Sequence, residues 1–271
     1  MAEGSLFAAD LRLALDSDAF AAAAGLEGVL DDWQRSVLDA VEGKVLMCCS
    51  RQSGKSTIAA LLAARTAVLE PGSLVLCVSP SLRQSGELFR RVLAFYHGLS
   101  SLPSRPKVKA ESALRLELMN GSRVISLPGS EKTTRGYSKA ALIILDEAAR
   151  IEDELITALQ PMQAATARGQ RRFVAMSTPW GRRGWYFERW QGAASDRSWK
   201  RVLVPAGECP RISSEFLAEQ ERELGPLLYR QEYGCEFVDS AETLFGAALV
   251  ERAFDAAIRP LFSGGLSHAA A

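Results

Sequence analysis

A loop of small and polar residues separates an apolar run from a helical pattern near position 50. The apolar run is Lys44–Cys49, and the helical pattern is Ile58–Leu69. A strand, a tight loop and a helix in this order form a cradle in which backbone N–H groups and the positive helix N-terminus bind phosphate oxygens. We therefore predict a phosphate-binding loop made of Ser50, Arg51, Gln52, Ser53, Gly54, Lys55, Ser56 and Thr57.

Two side chains of this loop have the chemistry that a nucleoside triphosphate requires. Lys55 is expected to reach the β- and γ-phosphates of ATP, and the Ser56 hydroxyl is expected to be a ligand of Mg²⁺. Cys49 stands where the general motif has glycine, so the match is incomplete. A chance Gly-Lys-Ser turn is the alternative, but the strand before the loop and the helix after it favour the motif.

A second apolar run, Leu142–Leu145, leads directly into Asp146 and Glu147. The carboxyl ends of parallel strands form the sheet edge where ligands bind, so both carboxylates are expected near the phosphate loop. We predict that Asp146 holds Mg²⁺ and that Glu147 orients the attacking water, which favours ATP hydrolysis. The alternative is that either residue caps the next helix. GTP is disfavoured, because the only asparagine is Asn120, which lies in an expected hairpin turn, so the guanine-reading Asn-Lys-x-Asp motif cannot exist here.

Near-continuous apolar runs alternate with helical patterns, which predicts an α/β fold with a mostly parallel sheet covered by helices on both faces. The dipeptide Asn120-Gly121 between two apolar runs predicts a hairpin with a type I′ turn. The predicted strands are Lys44–Cys49, Leu74–Val78, Leu114–Leu118, Arg123–Leu127, Ala141–Leu145, Phe173–Met176 and Val202–Val204, and the predicted helices include Asp31–Val41, Ile58–Leu69 and Arg83–Tyr96.

The sequence changes character after Pro205. Ser213 is expected to cap a helix that Gly225 ends, and Pro226 is expected to open a second helix that Gly234 closes. We predict a core at 1–205, a small helical lid at 206–245 and a linker or tail at 246–271.

Composition excludes several classes of protein. Apolar residues make up 48% and charged residues 24% of the 271 residues, which is typical of a soluble globular protein. No apolar stretch is long enough to span a bilayer, and we expect no export signal. The five cysteines lack metal-ligand spacing and are expected to be buried thiols.

Charge gives only a local hint of a partner. The net charge is zero, but the segment Arg168–Arg201 holds nine basic residues against two acidic ones. Such a zone suits a phosphate backbone, although a solvated surface has the same composition.

Three further positions have two possible roles each. Gln34 could read the adenine edge, or it could be the third residue of a capping box that begins at Asp31. Ser177 and Thr178 end a strand beside the expected γ-phosphate and could couple hydrolysis to motion, although Pro179 alone explains why the strand stops. Arg135 lies in a loop rich in threonine, serine and glycine, where it could be an arginine finger or a solvated side chain.

The ordered set of these motifs resembles the ATPase domain of the large terminase subunit, the DNA-packaging motor of tailed bacteriophages. The resemblance covers about Asp31 to Val238. The motifs that carry it are Ser50-Arg51-Gln52-Ser53-Gly54-Lys55-Ser56, Ser79-Pro80-Ser81-Leu82-Arg83-Gln84-Ser85, Asn120-Gly121-Ser122-Arg123, Arg135-Gly136-Tyr137-Ser138, Leu145-Asp146-Glu147-Ala148-Ala149 and Ser177-Thr178-Pro179-Trp180-Gly181.

This resemblance implies a RecA-like P-loop fold of the ASCE type with a small helical lid. It also implies a ring of about five subunits that docks on a portal protein, works with a small terminase subunit and pumps double-stranded DNA into a procapsid in the bacterial cytoplasm. By matching motif positions, Arg51 becomes a phosphate sensor, Arg135 the arginine finger and Gln34 the adenine contact. Ser177 and Thr178 become the coupling motif, and the basic zone becomes a candidate DNA-facing surface.

Large terminases usually carry a C-terminal nuclease as well, and the residues after the predicted lid are too few to build one. We therefore expect no DNA cleavage by this polypeptide. Two rival functions remain open at this point. One is a superfamily 2-like helicase or translocase fragment, which would need a second RecA-like lobe. The other is a nucleotide-dependent assembly scaffold that does not hydrolyse ATP.

Overall fold

Eight strands form one sheet in the computed structural model, which describes residues 10–40, 43–102, 104–129, 136–167, 171–192 and 198–238. Their order across the sheet is β3-β4-β5-β2-β6-β7-β1-β8. In this spatial order, every neighbouring pair from β5 across to β8 is parallel. The pairs β3–β4 and β4–β5 are antiparallel. The strands are β1 (Gly43–Cys49), β2 (Leu74–Ser79), β3 (Val108–Glu111), β4 (Arg115–Leu118), β5 (Arg123–Pro128), β6 (Ala140–Asp146), β7 (Arg172–Ser177) and β8 (Trp199–Val204).

Helices cover both faces of this sheet, so the predicted α/β class is confirmed. The α-helices are α1 (Ser17–Ala23), α2 (Asp32–Leu38), α3 (Lys55–Leu69), α4 (Leu82–Gly98), α5 (Asp153–Leu159), α6 (Gly184–Gly192) and α7 (Ser214–Glu232). Alternate strand residues face opposite helical layers. In β1, Val45 and Met47 join the apolar cluster under α1–α4, whereas Leu46 joins the cluster under α5 and α6.

The central strands are apolar except at their ends, because both of their faces are covered. All seven residues of β6 and all six of β2 are buried. The five cysteines are buried free thiols, as the sequence predicts. No helix in the described ranges is both long and apolar enough to cross a membrane.

The hairpin at Asn120-Gly121 is confirmed, but the predicted type I′ turn is wrong. A type I′ turn needs positive φ at both central residues, whereas here only Gly121, with φ of 84°, has it. The Gly121 N–H donates to Leu118 O, and the Leu118 N–H donates to Ser122 O. The connection is therefore a three-residue loop that ends in a left-handed glycine.

Helix α7 is broken where the sequence places the break. Ser213 Oγ accepts the Phe216 N–H at 3.2 Å and caps the first half. Gly225 has φ of 72° and ψ of 165°, which interrupts the helix just before Pro226. The described residues, including 206–238, belong to a single compact unit. The division into a core and a lid stays a prediction, and the predicted tail lies outside the described residues.

Candidate active site

The phosphate loop joins the end of β1 to the start of α3. Lys55 is the first residue of this 15-residue helix, whose first turn contains no acidic side chain. Gln52 and Gly54 have positive φ angles of 60° and 92°, and Ser53 Oγ donates to Ser50 O at 2.9 Å. Alternating backbone conformations of this kind turn successive N–H groups toward one point, as an anion site requires. Thr57 faces away from this loop toward α4, since its Oγ1 accepts a hydrogen bond from Arg91 Nη1 at 3.2 Å.

Cys49 occupies its position without strain. It is the last residue of β1, pairs in register with Val204 and is fully buried. It is not among the residues with positive φ, so nothing in the backbone at this position requires glycine. Gly54 is the loop position that does need glycine, because its φ is 92° and a Cβ would lie 3.3 Å from Gln34 Nε2.

Four predicted side chains meet at the carboxyl edge of the sheet. Ser56 Oγ lies 3.3 Å from Asp146 Oδ1 and 3.4 Å from Asp146 Oδ2. Lys55 Nζ lies 3.3 Å from Glu147 Oε1, and both side chains are largely buried. Glu147 has a left-handed backbone with φ of 51°, which is uncommon for a residue other than glycine and is typical of functional sites.

The Asp146 carboxyl has an unusual acidity. Burial and the neighbouring Glu147 carboxylate raise its pKa to about 6, while Lys55 and the Ser56 hydroxyl oppose the shift. A carboxylate and a hydroxyl oxygen are the hard ligands that Mg²⁺ prefers, and one carboxylate is sufficient where substrate phosphates supply the other contacts. Asp146 and Ser56 therefore fit the predicted ion, whose charge would favour the ionised carboxylate.

The same edge holds buried hydroxyl groups that have no hydrogen-bond partner. Ser177 lies on β7 between the strands of Asp146 and of the phosphate loop, and Thr178 follows it. Both are buried, and Ser177 Oγ bonds to nothing in the described structure. Ser50 Oγ and Ser79 Oγ are in the same condition. Unpaired buried hydroxyls are costly, so their concentration here favours a bound ligand or ordered water as the missing partner.

Arg51 contacts the end of helix α7. Its Nε donates to Glu232 Oε2 at 2.7 Å, and its backbone N–H donates to Glu232 O at 2.9 Å. Glu232 is the last residue of α7, and its side chain is only 9% exposed. Sequence reasoning missed Glu232, because a partner 181 positions away leaves no local signal.

Gln34 forms the glutamine half of a capping box. Its Oε1 accepts the Asp31 N–H at 2.9 Å. Because a backbone N–H needs an oxygen acceptor, this bond also fixes which end of the amide is oxygen. The Nε2 end lies beside Gly54. An adenine contact therefore stays a prediction. It would have to be made by Gln34 Nε2, because Oε1 is engaged by the Asp31 N–H.

Two predicted features gain less support. Arg135 lies outside the described residues. The basic zone does not form one surface, because Arg172 is 7% exposed and donates through Nη2 to Glu70 and to Thr66 Oγ1. Arg201 donates to Trp190 O at 2.8 Å on the β8 edge. Arg172 cannot face DNA in this arrangement, so a DNA-facing role is left only to the exposed members of the zone.

Comparisons with known proteins agree with this architecture. The profile of the family described as "Terminase large subunit, T4likevirus-type, N-terminal" matches residues 46–252. The large terminase subunit of Thermus phage G20c is 28% identical in an alignment 229 residues long, which covers 73% of this chain and 46% of that protein. The chain thus spans about half the length of the curated relatives that it matches.

Solved structures share the fold. The large terminase ATPase domain of Thermus phage P74-26 superposes with a TM-score of 0.68 at 22% identity, covering 82% of this chain and 98% of that one. The large terminase of a thermophilic bacteriophage, solved in complex with ADP, gives a TM-score of 0.61 at 14% identity, covering 77% of this chain and 54% of that one. At these identities the likeness establishes the RecA-like P-loop fold. The profile match covers more than half of the sequence, and the chain therefore belongs to the T4likevirus-type terminase large subunit family, whose N-terminal region it matches.

Proposed function

We propose that this chain binds ATP with Mg²⁺ at the phosphate loop and hydrolyses it. The observation that supports this most strongly is the meeting of Lys55 and Ser56 with Asp146 and Glu147, at distances of 3.3 Å. These residues come from segments 90 positions apart. Each has the chemistry that its predicted role in phosphoryl transfer requires.

Each side chain has a defined task in this proposal. The loop N–H groups and Lys55 bind phosphate oxygens, and Ser56 and Asp146 hold the metal ion. A bound Mg²⁺ would neutralise charge that develops on the transferred phosphoryl group. Glu147 orients the attacking water and accepts its proton. The buried hydroxyls of Ser177 and Ser50 gain hydrogen-bond partners when the nucleotide is present.

The ion pairs of this structure suggest an order of events. Lys55 contacts Glu147 here, so a nucleotide must draw Lys55 onto its phosphates. The Glu147 carboxylate then loses its cation and becomes a free acceptor for water. Arg51 can act as a phosphate sensor only if it leaves Glu232, and this would leave a buried carboxylate without its partner. Nucleotide binding would thereby disturb the end of α7.

Family membership supports a wider role as the motor domain of a viral DNA-packaging machine. In that role the chain translocates double-stranded DNA into a procapsid in the bacterial cytoplasm. It would act in a ring of about five copies docked on a portal protein, together with a small terminase subunit. Arg135 is the proposed arginine finger, Gln34 the adenine contact, and Ser177 with Thr178 the coupling element.

The test is ATP turnover by the native chain and by Glu147→Gln, with and without double-stranded DNA. Turnover by the variant should fall at least about 100-fold while ATP binding stays equal or tightens, because Lys55 no longer has a competing carboxylate. Glu154→Gln, an exposed position on α5, is the matched control and should behave like the native chain.

Two results would count against the proposal. Full turnover by Glu147→Gln would show that Glu147 is not the residue that orients the attacking water and accepts its proton. Tight ATP binding by the native chain without turnover in any assembled state would indicate a nucleotide-dependent scaffold. Stimulation by DNA supports the motor function specifically.

A further inference from the structure

Arg211 joins three separate parts of the chain with one guanidinium group. It lies between the short 3₁₀ turn at Ala206–Glu208 and helix α7. Its Nη1 donates to Asp31 Oδ1 at 3.0 Å and its Nη2 to Asp31 Oδ2 at 2.7 Å. The same Nη2 donates to Ser53 O at 3.0 Å, inside the phosphate loop. Arg211 belongs to none of the sequence motifs that predicted the site.

The bond to Ser53 O has a consequence for the next N–H group. In a planar trans peptide, the C=O and the following N–H point in opposite directions. A guanidinium that holds the Ser53 carbonyl therefore turns the Gly54 N–H to the other side of the loop. N–H groups on that side are the ones that a phosphate loop offers to its ligand.

Because residue 54 is glycine, the orientation of the Ser53–Gly54 peptide depends on contacts with side chains from outside the loop. Its φ of 92° lies in a region that glycine enters freely, and it has no side chain that packing could hold. A Cβ at Gly54 would lie 3.3 Å from Gln34 Nε2 and 3.8 Å from Arg211 Nη2, so the two side chains close around the glycine. Asp31 fixes the guanidinium through a two-pronged contact and is itself only 17% exposed.

We propose that Arg211 is a positioning residue that orients the Ser53–Gly54 peptide for binding phosphate. The inference rests on the proposed function and adds a residue to it. Arg211 acts through the backbone, so its effect falls on the phosphate part of the ligand and not on the base. The cradle is used equally before and during hydrolysis, so its loss raises KM and leaves kcat nearly unchanged. Lysine can replace it only in part, because one ammonium group lacks the planar fork that contacts both Asp31 oxygens.

The experiment compares Arg211→Ala, Arg211→Lys and Asp31→Asn with the native chain. Calorimetric titration measures the Kd of ATP, ADP and tripolyphosphate, and thermal unfolding of each variant is recorded in parallel. Arg222→Ala is the matched control, since Arg222 is an exposed α7 arginine whose one hydrogen bond to the part of the chain that the structure describes goes to Ala218 O at 3.1 Å. Arg211→Ala should weaken all three ligands about 10-fold, the effect of one charge-assisted hydrogen bond. Arg211→Lys should recover less than half of the loss, and Asp31→Asn should fall between the native chain and Arg211→Ala.

The possible outcomes separate this inference from the function on which it rests. Weakened ATP and ADP with unchanged tripolyphosphate would overturn it, because Arg211 would then contact the base. A lower melting temperature with unchanged affinities would also overturn it and would reduce Arg211 to a structural link. In both cases the proposed function stands. Failure of the native chain to bind any of the three ligands would overturn the proposed function itself.

Discussion

The two edges of the sheet differ in how fully their buried hydroxyl groups are hydrogen-bonded. At the carboxyl edge, where the phosphate loop lies, Ser53 Oγ donates to Ser50 O. Three other fully buried hydroxyls there have no hydrogen-bond partner among the described residues; they belong to Ser50, Ser79 and Ser177. At the amino edge, the buried hydroxyls of Thr66, Ser73 and Ser122 all donate hydrogen bonds. The same strands run to both edges, so we attribute the difference to the ligand that we propose for the carboxyl edge.

The amino edge is completed by the chain itself. Ser122 Oγ donates to Glu70 O at 3.0 Å, and Asn120 Nδ2 donates to Ala67 O at 2.9 Å, so the hairpin turn caps the end of α3. Arg172 pairs with Glu70, although its Nε has no partner within the described ranges. A cavity of about 890 Å³ opens here beside Arg172 and Glu70, and no phosphate-loop residue lines it.

This contrast shows how a cavity and a site can differ. The amino-edge cavity has the volume of a ligand pocket, but most polar groups around it are already bonded within the chain. The carboxyl edge instead offers unpaired hydroxyls, a carboxyl with a raised pKa and a strained Glu147 backbone. Unpaired polar groups, a shifted pKa and backbone strain therefore indicate the binding site better than cavity volume does.

The largest expected effect on the carboxyl edge comes from Lys55→Ala. Removing the ammonium group should weaken ATP binding about 100-fold, because charged hydrogen bonds to phosphate are lost. Fluorescence titration with an ATP analogue measures this. Lys109→Ala, on the exposed strand β3, is the control and should bind like the native chain. An unchanged ATP affinity in Lys55→Ala would contradict the proposal that this loop binds the nucleotide.

The corresponding change at the amino edge is Glu70→Gln. It leaves Arg172, whose side chain is 8% exposed, without its carboxylate. Glu70 is itself 40% exposed, so the loss is smaller than for a fully buried pair. Chemical denaturation should show a loss of about 2 kcal/mol in the free energy of unfolding. ATP affinity should stay within about twofold of native, since the sites are independent; a larger loss of affinity would contradict the separation of the edges.

Cys49 lies at the carboxyl edge, but the structure indicates that its side chain serves packing and not ligand binding. Cys49→Gly tests this exception. Restoring the glycine of the general motif removes a fully buried side chain from a strand end. The free energy of unfolding should fall by about 1–2 kcal/mol. ATP affinity should not improve, because position 49 has no positive φ. Tighter binding by the variant would show that the cysteine does weaken the loop.

The smallest expected effects come from Ser122→Ala and Ser177→Ala. These variants compare two fully buried serines at opposite edges of the sheet. Ser122→Ala should lower the free energy of unfolding by about 1 kcal/mol, because its bonds are lost. Ser177→Ala loses no bond in the free protein, so its stability should be unchanged or higher while ATP turnover falls. Equal destabilisation by both changes would remove the contrast.

Local patterns predicted much of the fold. The strand and helix around the phosphate loop were predictable because apolar runs and a Gly-Lys-Ser turn are short-range signals. Strand β3 (Val108–Glu111) was missed because all four of its residues are exposed, which leaves no apolar run. Helices α5 and α6 were missed as well, being short elements of 7 and 9 residues.

The site was predictable only where its residues lie in motifs. Asp146 and Glu147 follow an apolar strand, so the sequence points to them. The pairs Arg51–Glu232 and Arg211–Asp31 join positions 181 and 180 residues apart, and no spacing rule connects them. Such contacts arise from the way the segment after Pro205 returns to the loop, which only the folded chain reveals.

The most direct test measures ATP turnover and the free energy of unfolding for Glu147→Gln and Glu70→Gln side by side. Glu147→Gln should lose turnover and largely keep its stability, because the loss of the Lys55 ion pair is offset by removal of the carboxylate that raises the pKa of Asp146. Glu70→Gln should lose stability and keep its turnover at a temperature where it is folded. If Glu147→Gln retains turnover, or if Glu70→Gln loses it while folded, the assignment of catalysis to the carboxyl edge is wrong.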